Sequence, residues 1–516
     1  MAATEAGIVG AHERRVRVAV VGAGFSGLSV AWRLLERGET GFLVLERGGR
    51  VGGVWRENTY PGAACDVPSH LYSLSFAPNP AWEKSFSQGT QIQHYLEGVA
   101  GRRELRERIS LNEGLLDASW DDEAHLWRLT TPRGRVEAEV LVACAGSLTE
   151  PVYPDVRGLD AFPGKVLHSA RWNHGYDLRG QRVAVVGTGA SAAQIVPEVQ
   201  KVAESLVVFQ RTPGWVVPRP ERRIPEAEKC LLCRFPGLTR VYRLGQYLVR
   251  DGMNYRMIRR NPLIRGLFEW RARSFLKKQV EDPELRAKLT PGYEIGCKRV
   301  LISNDFYPAL ASPNVELVAS GLREVRGNTL VAADGTAREV DAVVFATGFE
   351  TTQSPTLARI RGRDGRTIRE AWRGLPRFHR ATTIAGFPNF FNLGGAGTGT
   401  GHGSAVWKAE SQTAYVVDAL RVMRERDLSS FEPRPDAEAR YMSWASEDLD
   451  RTVWSRGGCR SWYLDDAGRP SLMWPRTMWG FRRMLRRFDP ENYLLRPVQE
   501  PEYAPERELS TGGRQR

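Results

Sequence analysis

Two glycine-rich turns carry the clearest chemistry in the chain. The first, Gly22-x-Gly24-x-x-Gly27, follows an apolar run at residues 18–21 and leads into an amphipathic segment. Such a turn presents backbone N–H groups to phosphates at a helix N-terminus. Glu46 ends the next apolar run, at about the spacing, some 20 residues, at which an acid meets a ribose 2′-hydroxyl. The pattern predicts a strand, a turn and a helix that bind a dinucleotide.

A second turn of the same kind stands later in the chain. Gly187-x-Gly189-x-x-Ala192 follows the apolar run at residues 182–186, and Arg211 stands just after the next apolar run, where the first unit has its acid. A guanidinium suits a ribose 2′-phosphate because it is permanently charged and presents paired donors. We therefore predict FAD at the first turn and NADPH at the second.

The elements that position these turns alternate between strands and helices, so the predicted fold is α/β with two Rossmann-like dinucleotide-binding domains. Apolar runs that end at Cys144 and at Ala346 are predicted strands that return between the domains. Residues between the second unit and its return are rich in Arg, Leu and aromatic residues at helical spacing, which predicts a helical insertion. The predicted segments are 16–150 and 381–498 for FAD, 151–214 and 292–380 for NADPH, 215–291 for the insertion, and 1–15 and 499–516 for the tails.

The long loop at residues 52–66 should lie over the carboxyl ends of the first strands, where ligands bind. It contains a single cysteine, Cys65, so a dithiol relay is not expected. Asp66 is its last residue, and a turn-capping role and a functional role both stay open for this carboxylate. Lys298 and Arg299 precede an apolar run, where they either face solvent or contact a phosphate.

A third glycine-rich turn, at residues 394–403, precedes a predicted helix that begins near Ser404 and suits the flavin end of FAD. Trp407 and Lys408 occupy positions in this helix where apolar residues are expected. These two side chains either reshape the pocket beside the flavin or face solvent.

Composition limits the class of protein. The chain has 516 residues, 42% hydrophobic and 26% charged, with a net charge of +13, and no apolar run approaches the length of a membrane span. We expect a reduced, cytoplasmic protein, monomer or homodimer, that binds neither nucleic acid nor membrane. The Cys230-x-x-Cys233 pair has no second pair to complete a zinc site, so no metal is expected.

One motif lies between the two dinucleotide turns. The pattern Phe162-x-Gly164-x-x-x-His168-x-x-x-Trp172 resembles the fingerprint of type I Baeyer–Villiger monooxygenases, which usually continues with Pro or Asp where this chain has Asn173. The sequences G-G-V-W, Y-P-G-A, K-R before N-D-F-Y, A-T-G-F and G-C-R-S-W-Y continue the resemblance over roughly residues 17–490.

The resemblance implies a role for each matching residue. FAD is expected against Gly22, Gly24, Phe25, Ser26, Gly27, Glu46, Val54, Trp55, Asp66, Tyr72 and Leu115. NADPH is expected against Gly187, Thr188, Gly189, Ala190, Ser191, Ala192, Arg211, Thr212, Lys298, Arg299 and Trp462. Arg299 matches the catalytic arginine with Asp66 as its partner, whereas His168 and Trp172 match residues that organise the linker between the domains.

The implied reaction inserts one oxygen atom of O2 next to a ketone carbonyl, through a C4a-peroxyflavin, and gives an ester or lactone. Arg299 would keep the peroxide anionic. Two alternatives stay open: a flavin monooxygenase that oxygenates nitrogen or sulfur, and a non-oxygenating NADPH-dependent reductase or oxidase. Neither the predicted insertion nor the Trp-rich C-terminal region encodes a readable substrate.

Overall fold

A computed structural model describes residues 13–351, 354–399, 401, 403–465 and 467–498. Within these residues the strands, in chain order, are β1 (Arg14–Val21), β2 (Phe42–Leu45), β3 (Ile109–Ser110), β4 (Asp117–Asp121), β5 (Leu126–Thr131), β6 (Gly134–Ala143), β7 (Lys165–His168), β8 (Arg182–Val186), β9 (Ser205–Phe209), β10 (Val216–Val217), β11 (Leu301–Ile302), β12 (Val315–Val318), β13 (Leu322–Arg326), β14 (Thr329–Ala332), β15 (Ala337–Glu339), β16 (Ala342–Phe345), β17 (Ile360–Arg361), β18 (Phe390–Asn392), β19 (Leu428–Pro433) and β20 (Tyr493–Pro497).

The α-helices of the same residues are α1 (Phe25–Glu36), α2 (Val54–Glu57), α3 (Gly89–Ala100), α4 (Arg103–Arg106), α5 (Ala192–Gln200), α6 (Glu226–Arg234), α7 (Pro236–Ile258), α8 (Pro262–Gln279), α9 (Pro283–Lys288), α10 (Phe306–Leu310), α11 (Ile368–Trp372), α12 (Ala405–Glu425), α13 (Pro435–Leu449), α14 (Val453–Arg456) and α15 (Met478–Met484). Short 3₁₀ turns occupy Leu159–Ala161, Leu357–Arg359 and Pro490–Asn492.

The first sheet is organised around β1, whose Val18 and Val20 are completely buried. Its strand order is β17-β4-β5-β6-β1-β2-β3, and β18 also pairs with β6. The strands β2, β1, β6 and β18 run parallel, with Val18 opposite both Phe42 and Val140. Burial on both faces explains why the C-terminal halves of β1 and β6 are continuous apolar runs, whereas their first halves, which are less buried, contain charged residues.

The second sheet has the order β12-β9-β8-β16-β7, and its strands are parallel throughout. Val183 to Val185 on β8 are fully buried, with one cluster of apolar side chains on each face of the sheet. The predicted α/β architecture is confirmed. The two predicted returning strands are confirmed as well, because β6 pairs with β1 and β16 pairs with β8.

Three boundaries differ from the predicted segments. β10 (Val216–Val217) lies in the range predicted as a helical insertion and pairs with β11. β1 begins at Arg14, inside the range predicted as a tail, because the pairing with β6 reaches Val136. β17 pairs with β4 of the first sheet, although residues 360–361 lie in the range predicted for the NADPH domain. A two-residue strand at a sheet edge carries too short a pattern to be recognised from sequence. Residues 1–12 and 499–516, within or equal to the predicted tails, lie outside the described residues.

Helices α6 to α9 lie between residues 226 and 288. The longest, α7, turns polar side chains inward: Arg243 is 6% exposed and donates to the carbonyl oxygens of His70 and Ser73. Asp251 accepts hydrogen bonds from the backbone N–H groups of Met478 and Trp479. These buried polar contacts connect α7 to the loop after Asp66 and to the start of α15.

The cysteines differ from the expectation of a fully reduced chain. Cys297 and Cys459 form a disulfide with 6.1 Å between their Cα atoms, so that expectation is wrong for this pair. They stand 162 residues apart, and only the tertiary fold brings them together. Cys65 and Cys144 are free and buried, and the Cys230–Cys233 pair on α6 is free and exposed. Among the helices described here, none has the length and apolar character needed to cross a bilayer.

Candidate active site

A cavity of about 1160 Å³ opens between the two glycine turns and the C-terminal segments. It exceeds the range of roughly 300–1,000 Å³ of most small-molecule pockets. Its walls include the turn at Gly22, the turn at Gly187 and the side chain of Arg299. One continuous space therefore reaches both predicted nucleotide sites.

The two turns have the same backbone conformation at their first glycine. Gly22 has φ +104°, and a Cβ there would lie 2.6 Å from the carbonyl oxygen of Cys144. Gly187 has φ +114°, and its Cβ would lie 2.6 Å from the carbonyl oxygen of Ala346. Each turn therefore requires glycine both for its conformation and for the close approach of the returning strand.

Glu46 holds the first turn in place. The carboxylate is 3% exposed and accepts hydrogen bonds from the N–H groups of Ala23 and Gly48, both at 2.8 Å. Arg56 on α2 donates to the same carboxylate at 2.6 Å. Glu46 lines the cavity as predicted. Its pairing with Arg56 was not indicated by the sequence.

Arg211 and Lys298 face the cavity near the second turn. Burial and the nearby charge of Arg211 together lower the pKa of Lys298, and its Nζ lies 5.1 Å from the centre of the Tyr293 ring. Within the described residues neither cation pairs with a carboxylate. Two neighbouring cations without an acid form a site suited to an anion such as a phosphate.

Arg299 and Asp66 form a bidentate ion pair in the cavity wall. Nε lies 2.7 Å from Oδ2 and Nη2 lies 2.8 Å from Oδ1, while 32% and 24% of the two side chains stay exposed to the cavity. Burial alone would raise the pKa of Asp66, but the charge and hydrogen bonds of Arg299 outweigh it and lower that pKa. The charge of Asp66 in turn raises the pKa of Arg299. Both groups therefore stay charged at neutral pH.

Trp462 completes the cavity wall near Arg299, and Tyr463 is its buried neighbour. Tyr463 is completely buried, and its hydroxyl has no hydrogen-bond partner within the described residues. Burial, only partly offset by Arg299, raises the pKa of Tyr463 to about 12. Trp462 is 46% exposed, lines the cavity and packs edge-on to Tyr463, with ring centres 4.5 Å apart.

The loop predicted to cover the ligand is connected to the second unit. Gln194 on α5 donates to the carbonyl oxygen of Ala64 at 2.9 Å and accepts from the hydroxyl of Tyr60 at 2.9 Å. This bridge holds the segment before Asp66 against the helix of the second turn. No local pattern pointed to Gln194, because its role depends on how the two units face each other.

Nearly all of the residues predicted to bind cofactors line the cavity. The exceptions are Gly27 and Ala192. A Cβ at Gly27 would lie 1.8 Å from the carbonyl oxygen of Gly22, so this glycine serves the packing of α1 on its turn. Ala192 is buried at the start of α5.

The two linker residues of the motif stay away from this cavity. His168 ends β7, is fully buried, and its Nδ1 accepts from the N–H of Ala170 at 3.0 Å. Burial lowers the pKa of His168 to about 4, so the ring is neutral at physiological pH. Neither His168 nor Trp172 is part of the cavity wall.

The side chains of Trp407 and Lys408 are both buried, but only Lys408 lines the cavity. The indole of Trp407 packs 4.2 Å from the ring of Tyr247 and donates to the carbonyl oxygen of Met478 at 3.0 Å. Lys408 points towards the start of its helix and donates to the carbonyl oxygen of Thr398.

A cavity shared by two dinucleotide-binding units defines the class of flavin-dependent enzymes that also use a nicotinamide nucleotide. Residues 15–358 match the family model described as flavin-binding monooxygenase-like. A Baeyer–Villiger monooxygenase of Streptomyces coelicolor is 49% identical over 503 residues, covering 97% of this chain and 96% of that protein. A Baeyer–Villiger monooxygenase of Pseudomonas aeruginosa is 44% identical over 489 residues, covering 94% and 92%.

The solved structures agree. The crystal structure of cyclohexanone monooxygenase from Rhodococcus sp. Phi1 bound to NADP+ superposes with a TM-score of 0.83 at 26% identity, covering 94% of this chain and all of that one. The chain belongs to the flavin-binding monooxygenase-like family and, within it, to the Baeyer–Villiger monooxygenases.

Proposed function

We propose that this chain is an FAD- and NADPH-dependent monooxygenase that inserts one oxygen atom of O2 next to a ketone carbonyl, giving an ester or lactone. One observation carries the proposal: both glycine turns open onto the cavity whose wall holds the Arg299–Asp66 pair. Bound FAD, once reduced by NADPH, would activate O2, and the residues of this chain would bind and orient the cofactors and shield them from water.

FAD binds at the first turn and NADPH at the second. The turn at Gly22 leaves no room for a Cβ and offers its N–H groups to a pyrophosphate. Arg211 and Lys298, which have no carboxylate partner in the described part of the chain, take the 2′-phosphate of NADPH. The remaining cofactor contacts are those predicted from the sequence, with Gly27 and Ala192 supporting the turns rather than touching ligand.

Arg299 is the catalytic residue of this proposal. Its guanidinium is charged at any working pH and presents donors to an oxyanion that develops in the cavity. Asp66 occupies the Nε and Nη2 edge, so the opposite edge of the guanidinium is the one presented to reactants. Asp66 is therefore a positioning residue.

The domain bounds stay a prediction: FAD with residues 16–150 and 381–498, NADPH with 151–214 and 292–380, and a helical insertion at 215–291, apart from the strand positions that differ as described above. Cytoplasmic location and a monomer or homodimer stay predictions. Size-exclusion chromatography with light scattering measures the oligomeric state.

The direct test is to purify the chain, identify any bound yellow cofactor as FAD, and measure NADPH oxidation coupled to product. Cyclohexanone is the first ketone to offer, because the solved relative is named for it. A thioether and an amine distinguish oxygenation of heteroatoms. Peroxide formed in equal amount to the NADPH consumed, with no oxygenated product from any of these compounds, would contradict the proposal.

A further inference from the structure

Lys408 is an unusual residue for the wall of this cavity. It is the fourth residue of α12, only 8% exposed, and its Nζ reaches back past the helix start to the carbonyl oxygen of Thr398. Side chains on a helix lean towards its N-terminus, so a lysine one turn into α12 delivers its charge to the point where the helix meets the cavity. Ser404 caps this helix by accepting from the N–H of Val406 at 3.2 Å.

The charge of Lys408 is not balanced by any described carboxylate. An ammonium has three donors, and the described residues supply one acceptor, the carbonyl oxygen of Thr398. Asp66 is already matched in both oxygens by Arg299. Glu410, two residues further along α12, accepts instead from the N–H of Ser75. A buried cation without a counter-ion is costly. The protonated form of Lys408 therefore becomes favourable when an anion enters the cavity.

The surroundings of Lys408 further disfavour its charged form. Burial and the charge of Arg299 lower the pKa of Lys408 to about 7. Arg482 of α15 stacks over Trp407 rather than approaching Lys408. The groups on the neighbouring elements are Arg299 and Asp66, Arg460 in the C-terminal wall of the cavity, the buried Tyr463, Arg482 on α15, and Glu410 on α12 itself.

The glycine-rich turn before α12 is the predicted place of the flavin end of FAD, so Lys408, which lines the cavity there, would lie beside the part of the site where charge changes during the reaction. A ketone is neutral, and the cations Arg211 and Lys298 serve the phosphate end. An isoalloxazine ring is neutral when oxidised and gains one negative charge when it accepts a hydride. The N-terminal end of α12, whose dipole favours an anion, lies at the same place.

We propose that the amine of Lys408 accepts a proton when the flavin is reduced and so becomes the cation that balances the charge of the reduced ring. The inference rests on the proposed function, because it requires FAD with its ring at the start of α12. The hydride brings two electrons and one proton to the flavin and leaves NADP+. The neutral amine of Lys408 takes one proton from solvent and becomes the ammonium that balances the new negative charge.

The first test is the midpoint potential of the bound FAD against pH, measured by reductive titration with a reference dye and without ketone. Below about pH 7 Lys408 is charged before and after reduction, and above it the amine gains a proton on reduction. Between about pH 7 and pH 9 the wild-type enzyme takes up two protons for two electrons. The Lys408→Met enzyme takes up one proton for two electrons, so its midpoint potential falls half as steeply with pH.

Two variants are matched controls. Lys408→Arg keeps a permanent charge, so it should show the shallow slope of Lys408→Met but keep the wild-type affinity for a flavin-bound anion. Lys298→Met removes another cavity-lining lysine with a lowered pKa. It should leave the slope of the midpoint potential at the wild-type value of two protons for two electrons.

The second readout is sulfite, which adds to oxidised flavin and leaves a negative charge on the ring. The Kd of sulfite should rise about tenfold in Lys408→Met, which corresponds to about one pKa unit of charge interaction, and should be unchanged in Lys408→Arg.

If bound FAD shows the same slope of midpoint potential against pH and the same Kd for sulfite in the wild type and in Lys408→Met, this inference is overturned and the proposed function stays intact. A change confined to the KM of a keto acid also overturns it, because Lys408 would then bind an anionic substrate. A purified chain that binds no FAD overturns both proposals.

Discussion

Arg299 and Asp66 are joined by two parallel hydrogen bonds, although they stand 233 residues apart in the chain. Asp66 ends the loop that follows the first turn, and Arg299 stands two residues before β11, which pairs with β10. The pair therefore connects segments from both nucleotide-binding units at the cavity that they share. Its geometry leads to the first two predictions.

Replacing Arg299 by Ala should leave FAD binding and flavin reduction intact but lower ester formation on the order of 10²-fold or more, because one oxyanion-stabilising charge is lost. Stopped-flow reduction and product analysis measure the two steps separately. Arg182→Ala is a matched control: Arg182 pairs with Asp341 in the same bidentate manner, outside the cavity, and should keep full activity. Full ester formation by Arg299→Ala would contradict the proposed role.

Asp66→Asn should also slow ester formation, since the amide cannot hold the guanidinium by charge. Because Asp66 acts through Arg299, the double variant Asp66→Asn/Arg299→Ala should be no slower than Arg299→Ala alone. Turnover of the three variants at saturating ketone and NADPH completes the cycle. Losses that multiply in the double variant would show that Asp66 has an independent function.

Arg211→Ala and Lys298→Met should each raise the KM for NADPH about tenfold while changing the KM for NADH little, because a charge-assisted hydrogen bond to the 2′-phosphate contributes about 1.5–3 kcal/mol. Steady-state kinetics with both nucleotides measures this preference. Lys201→Met, which removes a lysine that is 60% exposed and paired with Glu198, is the control. Equal effects on NADPH and NADH would place the 2′-phosphate elsewhere.

Gly22→Ala and Gly187→Ala should separate the two cofactors. Each substitution costs about 1–3 kcal/mol for its backbone conformation alone, in addition to the clash of its Cβ with a returning strand. Gly22→Ala should purify with little FAD, whereas Gly187→Ala should keep FAD but be reduced slowly by NADPH. Absorbance spectra and reduction rates measure both effects.

Gly38→Ala is the control for this pair. Gly38 has φ +73°, but a Cβ added there would meet no heavy atom within 4 Å, so the effect of the substitution should be confined to stability. Loss of FAD in Gly187→Ala together with retention in Gly22→Ala would reverse the assignment of the two sites.

The binding half of the site could be predicted from the sequence, since it depends on local patterns. Gly22, Gly187 and their returning strands follow from spacing and apolar runs, because a glycine at a tight turn and a strand buried on both faces leave signatures within a few residues. Glu46 was predictable for the same reason. Its partner Arg56 was not, because several arginines lie within reach along the chain.

The rest of the site depends on contacts between distant segments. The Arg299–Asp66 pair was accessible only through resemblance to a family, since neither residue stands in a local pattern that specifies the other. Gln194 reaches the loop before Asp66 only once both units are folded. Lys408 stands in the first turn of α12, where an apolar residue is expected, and the sequence alone left its environment open.

The disulfide between Cys297 and Cys459 has a mechanical consequence for this cavity. Cys297 directly precedes Lys298 and Arg299, and Cys459 directly precedes the segment that leads to Trp462. The bond closes a covalent ring that includes β12 and β16 of the second sheet and all of α12, and it couples two walls of the cavity at one point. Any rotation that widens the cavity must carry Arg299 and the Trp462 segment together, as a single moving part.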